Sequence, residues 1–247
     1  MRTRLAAVFL VCFSTALAAD LPSGESLIQR FIERSGGEEA YSKIHTASLT
    51  GTVEVEGQNL RGTIEMAEEG EKSWTAIDLA GIGRTEQAFD GETAWEINPI
   101  QGARLIEGEE KSVLKRSSGL ALISSWKQDY SSIRTIGEET VHARPAWKVE
   151  MTPKEGRPET YLFDKDSGLL VRMSAVVSTP LGDIAAEFEL SDYRSLDGIQ
   201  TPFTMTQGAM GQLIVIHFDR IVYNATLPKD RFAMPAEVAA LRARKRN

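Results

Sequence analysis

The chain has 247 residues and an acidic balance, with 35 Asp and Glu residues against 28 Lys and Arg residues. Binding to nucleic acid is disfavoured, because phosphates require basic patches on a protein. The only cysteine, Cys12, excludes a disulfide within the chain, and the length fits one β-rich domain with insertions.

The first residues have the pattern of a secretory signal peptide. Arg2 and Arg4 form a basic start, residues 5–17 are apolar, and small residues precede a cut expected before Ala19 or one residue later. The apolar run is too short to span a membrane. We therefore predict that residues 1–19 are a cleaved signal peptide and that the mature protein is periplasmic.

The position of Cys12 inside this apolar run decides two further points. Large residues precede it, whereas a lipid-attachment site requires small ones, so the sequence favours a soluble secreted protein over a lipoprotein. After cleavage the chain has no thiol nucleophile and no thiolate metal ligand. Its formal charge is then −9, from 26 basic and 35 acidic residues.

Helices are predicted at the start of the mature chain. Apolar residues recur at helical spacing between Leu27 and Ile32, and Gly36-Gly37 ends the run. A short second helical turn is predicted over residues 38–44.

Alternating apolar and polar residues then predict a series of strands. The first five span residues 47–55, 60–66, 72–79, 84–89 and 93–98. Short turns join them, among them Asp90-Gly91, which is a strong hairpin signal.

The alternation stops between residues 108 and 125, where one or two helices are predicted to cross the sheet. Strand patterning resumes after Trp126, and residues 161–224 predict long antiparallel strands in succession with one face buried. The sequence therefore predicts a mainly β fold, in which a large antiparallel curved sheet (an open or half β-barrel) wraps over a few helices. No active-site motif interrupts the strands, so the sheet itself is predicted to be the functional surface.

No catalytic, cofactor or metal site is predicted. His45, His142 and His217 lack the spacing of converging ligands. Gly81 and Gly83 lack the third glycine and the following helix of a phosphate loop, and no nucleophile elbow occurs. We therefore expect a protein that is not an enzyme and needs no cofactor.

The four tryptophans leave two interpretations open. They fill the core, or some of them line an apolar cavity between the curved sheet and the helical insert. Trp74 and Ile77 have opposite parity, so only one of the two can face such a cavity. The predicted ligand-binding residues that line the cavity are Trp74, Ile77, Trp95, Ile97, Leu120, Ile123, Trp126, Trp147 and Val149.

Three stretches carry a family resemblance. Residues 160–172 run from a strand through an aspartate turn and a Ser-Gly-Leu step into a second strand; residues 192–203 contain a Tyr…Gly…Pro-Phe turn; residues 89–95 form an Asp-Gly…Trp hairpin. In this order they resemble the periplasmic outer-membrane lipoprotein-sorting (LolA/LolB-like) superfamily, in an uncharacterised branch. The resemblance implies that residues 20–235 form an unclosed β-barrel over helices, whose concave apolar side holds acyl chains.

Two further expectations concern charged residues. The resemblance implies an arginine that locks a lid, for which Arg61 and Arg84 are candidates. Residues 236–247 form a basic tail, which we expect to be solvated; contact with an anionic membrane is the alternative.

The leading functional hypothesis is a monomeric, non-catalytic periplasmic carrier that binds a lipid or an acylated lipoprotein in an apolar concave cavity. The alternative is an envelope sensor or interaction module that binds inner- or outer-membrane envelope proteins. A hydrolase with a dispersed site is the third hypothesis, and neither a nucleophile motif nor a metal set supports it.

Overall fold

One antiparallel sheet organises the computed structural model, which describes residues 21–116, 125–179, 182–209 and 211–246. The strands within these ranges are β1 (Thr46–Val55), β2 (Leu60–Glu69), β3 (Lys72–Leu79), β4 (Gly83–Phe89), β5 (Ala94–Asn98), β6 (Gly102–Ile106), β7 (Tyr130–Val141), β8 (Arg144–Pro153), β9 (Glu159–Asp164), β10 (Leu170–Thr179), β11 (Gly182–Leu196), β12 (Ile199–Ala209) and β13 (Gln212–Tyr223). The helices are α1 (Gly24–Ser35), α2 (Glu38–Ser42), α3 (Gly108–Arg116), α4, described over residues 125–129, and α5 (Ala236–Arg246).

The strands form two ladders that meet in the middle of the sheet. The spatial order is β6-β5-β4-β3-β2-β1-β13-β12-β11-β10-β9-β8-β7. Pairing of β1 with β13 joins the ladders, and β6 and β7 are the two edges. The sheet is therefore not closed, which confirms the predicted mainly β fold with an open curved sheet over a few helices.

Helix α1 defines the two faces of the sheet. The hydroxyl of Ser23 caps it by accepting a hydrogen bond from the N–H of Ser26 at 3.1 Å, and Gly36, with φ of 146°, ends it. Its apolar side packs against β8 and β9, where the rings of Phe31 and Phe163 lie 5.7 Å apart. We call the face that α1 covers the inner face and the opposite one the outer face.

Residue parity on β2 and β3 separates the two faces. Ile64 lies opposite Ile77, and both belong to the same inner-face cluster. Ala67 lies opposite Trp74, and both belong to a different, outer-face cluster. The expectation that Trp74 and Ile77 face opposite ways is confirmed.

Glycines let the strands approach closely where the sheet bends. A β-carbon added to Gly51 would lie 2.1 Å from the carbonyl oxygen of His217, and one added to Gly62 would lie 2.0 Å from the carbonyl oxygen of Asp78. The β1–β13 register also shifts between Thr50 and Gly51. A shifted register and strand glycines are the local features that bend a sheet, so they place the curvature next to the joint of the ladders.

The C-terminal segment, residues 224–246, covers the outer face of the first ladder. Phe232 and Val238 join the cluster that contains Trp74 and Trp95. Helix α5 packs on β6, and Val238 is 0% exposed. The predicted solvated tail is therefore a packed helix in its described part, because its apolar residues find partners on the sheet. The division of the chain at residues 19 and 235 stays a prediction.

Basic residues of α5 attach it to neighbouring carboxylates. Arg242 donates to Glu92 at 2.7 Å, and Lys245 donates to Glu107. Exposed ion pairs of this kind add little stability, so the burial of Val238 and Phe232 is the main anchor of the segment.

Candidate functional site

A cavity of about 260 Å³ lies between the inner face of the sheet and the helices. Its walls come from both ladders of the sheet and from Phe31 of α1, Tyr41 of α2 and Val113 of α3. Most of the lining is apolar, as in Leu49, Met66, Met173, Phe188, Leu190 and Met205. The described side chains thus leave a hollow under the sheet that an apolar ligand can fill.

One wall of this cavity carries a buried ion pair. Nη2 of Arg116, the last residue of α3, donates to Oε1 of Glu159, the first residue of β9, at 2.6 Å. Their side chains are only 9% and 7% exposed, and both residues line the cavity. A cation at the carboxyl end of a helix is also favoured by the helix dipole.

Two tyrosines bind the second oxygen of Glu159, and one of them, Tyr161, also lines the cavity. The hydroxyls of Tyr130 and Tyr161 lie 2.7 and 2.9 Å from Oε2 of Glu159 and 2.8 Å from each other. Each hydroxyl has one proton to donate, so at most two of these three contacts are hydrogen bonds at any moment. Burial raises the pKa of both tyrosines, and both therefore stay neutral.

The Arg116 guanidinium is charged but not fully paired. Burial opposes its charge, and the neighbouring Glu159 carboxylate outweighs that effect, so the pKa of Arg116 is raised. Nη1 donates to the backbone carbonyl of Glu155 at 3.2 Å. Nε is buried and has no hydrogen-bond partner among the residues that the structure describes.

The remaining polar lining is mostly engaged within the protein. The hydroxyl of Tyr193 donates to the carbonyl of Leu170 at 2.6 Å, and the hydroxyls of Tyr223 and Thr201 lie 2.8 Å apart. Burial raises the pKa of Tyr41 to about 12. These hydroxyls are neutral at physiological pH, so they add polar atoms to the cavity lining but no charge.

A second cavity of about 760 Å³ lies beside the first. Tyr41 lines both cavities, and α2, α3 and α4 contribute Glu38, Lys115 and Asp129 to the second. Polar and charged residues make up most of its lining, but Tyr41, Ile44 and Trp126 give it apolar surface as well. The apolar cavity therefore has a second, mixed cavity on the side of the helices.

The predicted cavity residues lie elsewhere. None of those that are described lines the 260 Å³ cavity, and their role in ligand binding stays a prediction. Trp74, Trp95 and Ile97 pack on the outer face under the C-terminal segment. Ile77 is on the inner face, in the cluster around Ile64.

The other predicted residues belong to the core around α1 or are not described. Trp126 and Val149 are buried in this core, and Trp147 packs against it. Leu120 and Ile123 lie outside the described residues. All four tryptophans contact a core cluster, and Trp126 also lines the cavity of about 760 Å³ between the helices.

The two arginines considered as lid locks lie on exposed surface. Arg61 pairs with Glu54 at 3.4 Å. Arg84 pairs with Glu86 and Glu65. Neither lines the apolar cavity; Arg116 is the arginine that does.

Two kinds of feature are absent from the described residues, a metal-binding cluster and a helix that could cross a membrane. Across the described ranges, no group of three or more His, Cys, Asp or Glu side chains is placed to hold a metal ion. No helix in the described part of the chain has the length and apolar character needed to cross a membrane.

Comparison with known proteins depends on the fold. No protein-family model matches the sequence, and no curated protein matches it. Solved structures align with most of this chain, and three of them are covered along almost their whole length. A DUF1329 family protein from Desulfovibrio piger is 15% identical, with a TM-score of 0.58 over 86% of this chain and 98% of that one.

Two further aligned structures are described as lipoprotein-sorting or LolA superfamily proteins. A putative outer membrane lipoprotein-sorting protein domain from Vibrio parahaemolyticus is 14% identical, with a TM-score of 0.55 over 85% of this chain and 96% of that one. A LolA superfamily protein from Nitrosomonas europaea is 10% identical, with a TM-score of 0.55 over 87% of this chain and 99% of that one. The chain has a LolA-like fold.

Sequence patterning indicates part of the cavity lining but not its polar wall. Alternation in β10 and β11 could have located Met173, Phe188 and Leu190, because period-two patterning separates the faces. Arg116 and Glu159 gave no such signal. A basic residue at the end of a helix and a carboxylate at the start of a strand are both typical of solvated surface.

Proposed function

We propose that the protein is a non-catalytic periplasmic carrier that binds the acyl chain of a lipid or an acylated lipoprotein in the 260 Å³ cavity. The observation that carries this proposal is the apolar hollow between the inner face and the helices, in a sheet that is not closed. The signal-peptide pattern supports the periplasmic location, and we expect the carrier to be a monomer.

The energetics favour an acyl chain as the ligand. Each buried methylene contributes about 0.8 kcal/mol, so about eight of them would supply about 6 kcal/mol before the ordering costs of binding. The volume is just below the range of about 300–1,000 Å³ typical of small-molecule pockets. A single chain therefore fits this state of the cavity better than several chains do.

The fold supports the same class of ligand. One of the aligned structures is described as a putative outer membrane lipoprotein-sorting protein domain. We extend this description to the present chain as a proposal, since a shared fold does not by itself fix a function.

Two phenylalanine substitutions, each at an alanine of the sheet, test the proposal. Ala175 on β10 lines the cavity, whereas Ala185 on β11 is exposed on the outer face. We expect Ala175→Phe to fill part of the cavity and to weaken binding of the apolar fluorescent probe N-phenylnaphthylamine at least tenfold. Ala185→Phe adds the same side chain outside the cavity and should leave binding unchanged.

The result that contradicts the proposal is equally specific. If the wild-type protein does not bind the probe, or if both phenylalanine variants reduce binding equally, the cavity is not the ligand site.

The edge of the sheet favours a second candidate, an envelope module that binds a protein partner. β7 is an edge strand, and Ile136 on it is exposed. Edge strands can pair with an added strand of another protein. This candidate predicts that Ile136→Lys abolishes capture of a defined envelope partner while probe binding by the cavity is unchanged.

A further inference from the structure

Two cavities of different chemistry meet beneath the helices. We call the 260 Å³ cavity the apolar cavity and the 760 Å³ cavity the mixed cavity. Tyr41 of α2 lines both of them. The side chain of Tyr41 is therefore part of the wall between the two cavities.

The same boundary crosses two further elements. On α3, Arg116 lines the apolar cavity and its neighbour Lys115 lines the mixed cavity. On β2, Glu68 lines the apolar cavity, and Gly70, just after the strand, lines the mixed cavity. Three separate elements thus pass from one cavity to the other, so the two cavities are adjacent along a shared wall.

The mixed cavity offers charges of both signs. Lys115 and Lys127 are its lysines, and Glu38, Glu71 and Asp129 are its carboxylates. Lys115 lies 3.4 Å from Glu71, and their side chains are 41% and 61% exposed, so these charges stay in contact with water. A head group with a single charge would meet like charges as well as opposite ones, whereas a zwitterion can place each of its charges beside an opposite one.

Aromatic side chains lie where the apolar and polar environments meet. Trp126 packs in the core around α1 and also lines the mixed cavity, with Nζ of Lys127 5.1 Å from the centre of its ring. Tyrosine and tryptophan suit such positions, because each has an apolar body and a polar end. An amphiphile has the same division between its acyl chain and its head group.

We propose that the two cavities form one binding site for a single-chain zwitterionic phospholipid. The acyl chain lies in the apolar cavity, whose volume fits one chain. The lysines of the mixed cavity bind the phosphate, and its carboxylates bind the ammonium group. The inference rests on the proposed function and specifies its ligand class.

Three lipids with the same oleoyl chain test the head group. The phosphoethanolamine lysolipid is zwitterionic, the phosphoglycerol lysolipid is anionic, and monooleoylglycerol is uncharged. Displacement of N-phenylnaphthylamine from the protein, at lipid concentrations below micelle formation, gives each affinity. We expect the zwitterionic lipid to bind about tenfold more tightly than monooleoylglycerol and about fivefold more tightly than the anionic lipid, because each partly exposed charge contact adds only a modest gain.

Ser42→Trp tests whether the mixed cavity holds the head group, and Lys43→Trp is its control. Ser42 lines the mixed cavity, whereas Lys43 is exposed and lines neither cavity. We expect Ser42→Trp to weaken binding of the zwitterionic lipid about tenfold and to leave binding of the probe unchanged, because the probe occupies only the apolar cavity. Lys43→Trp should change neither. Thermal melting of both variants controls for loss of fold.

Glu38→Gln tests the charge contact separately, with Glu39→Gln on the same helix as its control. Glu38 lines the mixed cavity, and Glu39 pairs instead with Lys43 at 2.8 Å. We expect Glu38→Gln to weaken binding of the zwitterionic lipid about fivefold and to leave monooleoylglycerol unchanged. Glu39→Gln should change neither. A purely structural role of Glu38 would weaken both lipids equally, and that result would overturn the ammonium contact.

Failure of this inference and failure of the carrier function give different results. If the probe binds and Ala175→Phe blocks it, but the zwitterionic lipid and monooleoylglycerol bind equally and Ser42→Trp changes neither, the inference is wrong while the carrier function stands. If the anionic lipid binds as tightly as the zwitterionic one, the ligand is not a zwitterion and the inference is again wrong. If neither the probe nor any of the lipids binds, both proposals are wrong.

Discussion

The joint between the two ladders makes Gly51→Ala a demanding test of the fold. The added β-carbon would lie 2.1 Å from the carbonyl oxygen of His217 and 2.9 Å from the α-carbon of Phe218. Both atoms belong to the backbone of β13, so neither can move aside by a side-chain rotation. The strands must separate, and β1–β13 is the pairing that joins the ladders.

The size of the effect follows from these contacts. Overpacking costs about 1–3 kcal/mol, and each ladder hydrogen bond that is lost adds about 1 kcal/mol. We therefore expect Gly51→Ala to lower the free energy of unfolding by about 2–4 kcal/mol. Leu49, Phe218 and Ile221 line the cavity from these two strands, so probe binding should weaken as well.

Urea denaturation of the mature protein provides the measurement, with the midpoint and slope compared between variants. Gly208→Ala on β12 is the matched control, because its β-carbon would meet only the side chain of Leu213 at 3.4 Å. We expect that control to change stability by less than about 1 kcal/mol. A Gly51→Ala protein as stable as the control would refute the close approach of β1 and β13.

Two further predictions concern stability. Val238→Asp places a charge at a side chain that is fully buried. We expect it to lower the free energy of unfolding by about 3 kcal/mol and to shift tryptophan fluorescence to the red. Ala240→Asp, on the exposed side of α5, should do neither. Burial opposes ionisation of Asp164, but hydrogen bonds from Ser167 and the charge of Arg144 outweigh it and lower its pKa. Because this pKa is lowered in the folded state, the stability it gives is present above about pH 4 and is lost as the pH falls through the folded value. Asp164→Asn should therefore flatten the acid limb of the curve of stability against pH. Asp166→Asn, in the same turn, should not.

The sequence predicted those parts of the fold that depend on local patterning. The apolar spacing between Leu27 and Ile32 predicted the helix that the structure shows as α1. The strand predicted over residues 72–79 has the same bounds as β3. The opposite facing of Trp74 and Ile77 also followed, because side chains alternate along any strand.

Local patterning cannot show which face of the sheet has the cavity. Trp74 and Trp95 are apolar and regularly spaced, and they would suit either face. Their outer position depends on the distant C-terminal residues Phe232 and Val238, which cover them. The basic tail, residues 236–247, gave no sign of this packing, because Val238 is the one buried residue in its described part.

The polar wall was out of reach of the sequence for a related reason. Arg116 and Glu159 are 43 residues apart and lie on different elements. Their pairing depends on how α3 crosses the inner face, which a one-dimensional pattern does not record.

Native mass spectrometry of the protein, expressed with residues 1–19 and purified without detergent, tests the central claim most directly. The account predicts a bound species with the added mass of an acylated molecule, retained under gentle ionisation, released on activation and reduced in Ala175→Phe. A single apo mass for the wild-type protein, unchanged after incubation with monooleoylglycerol, would contradict it.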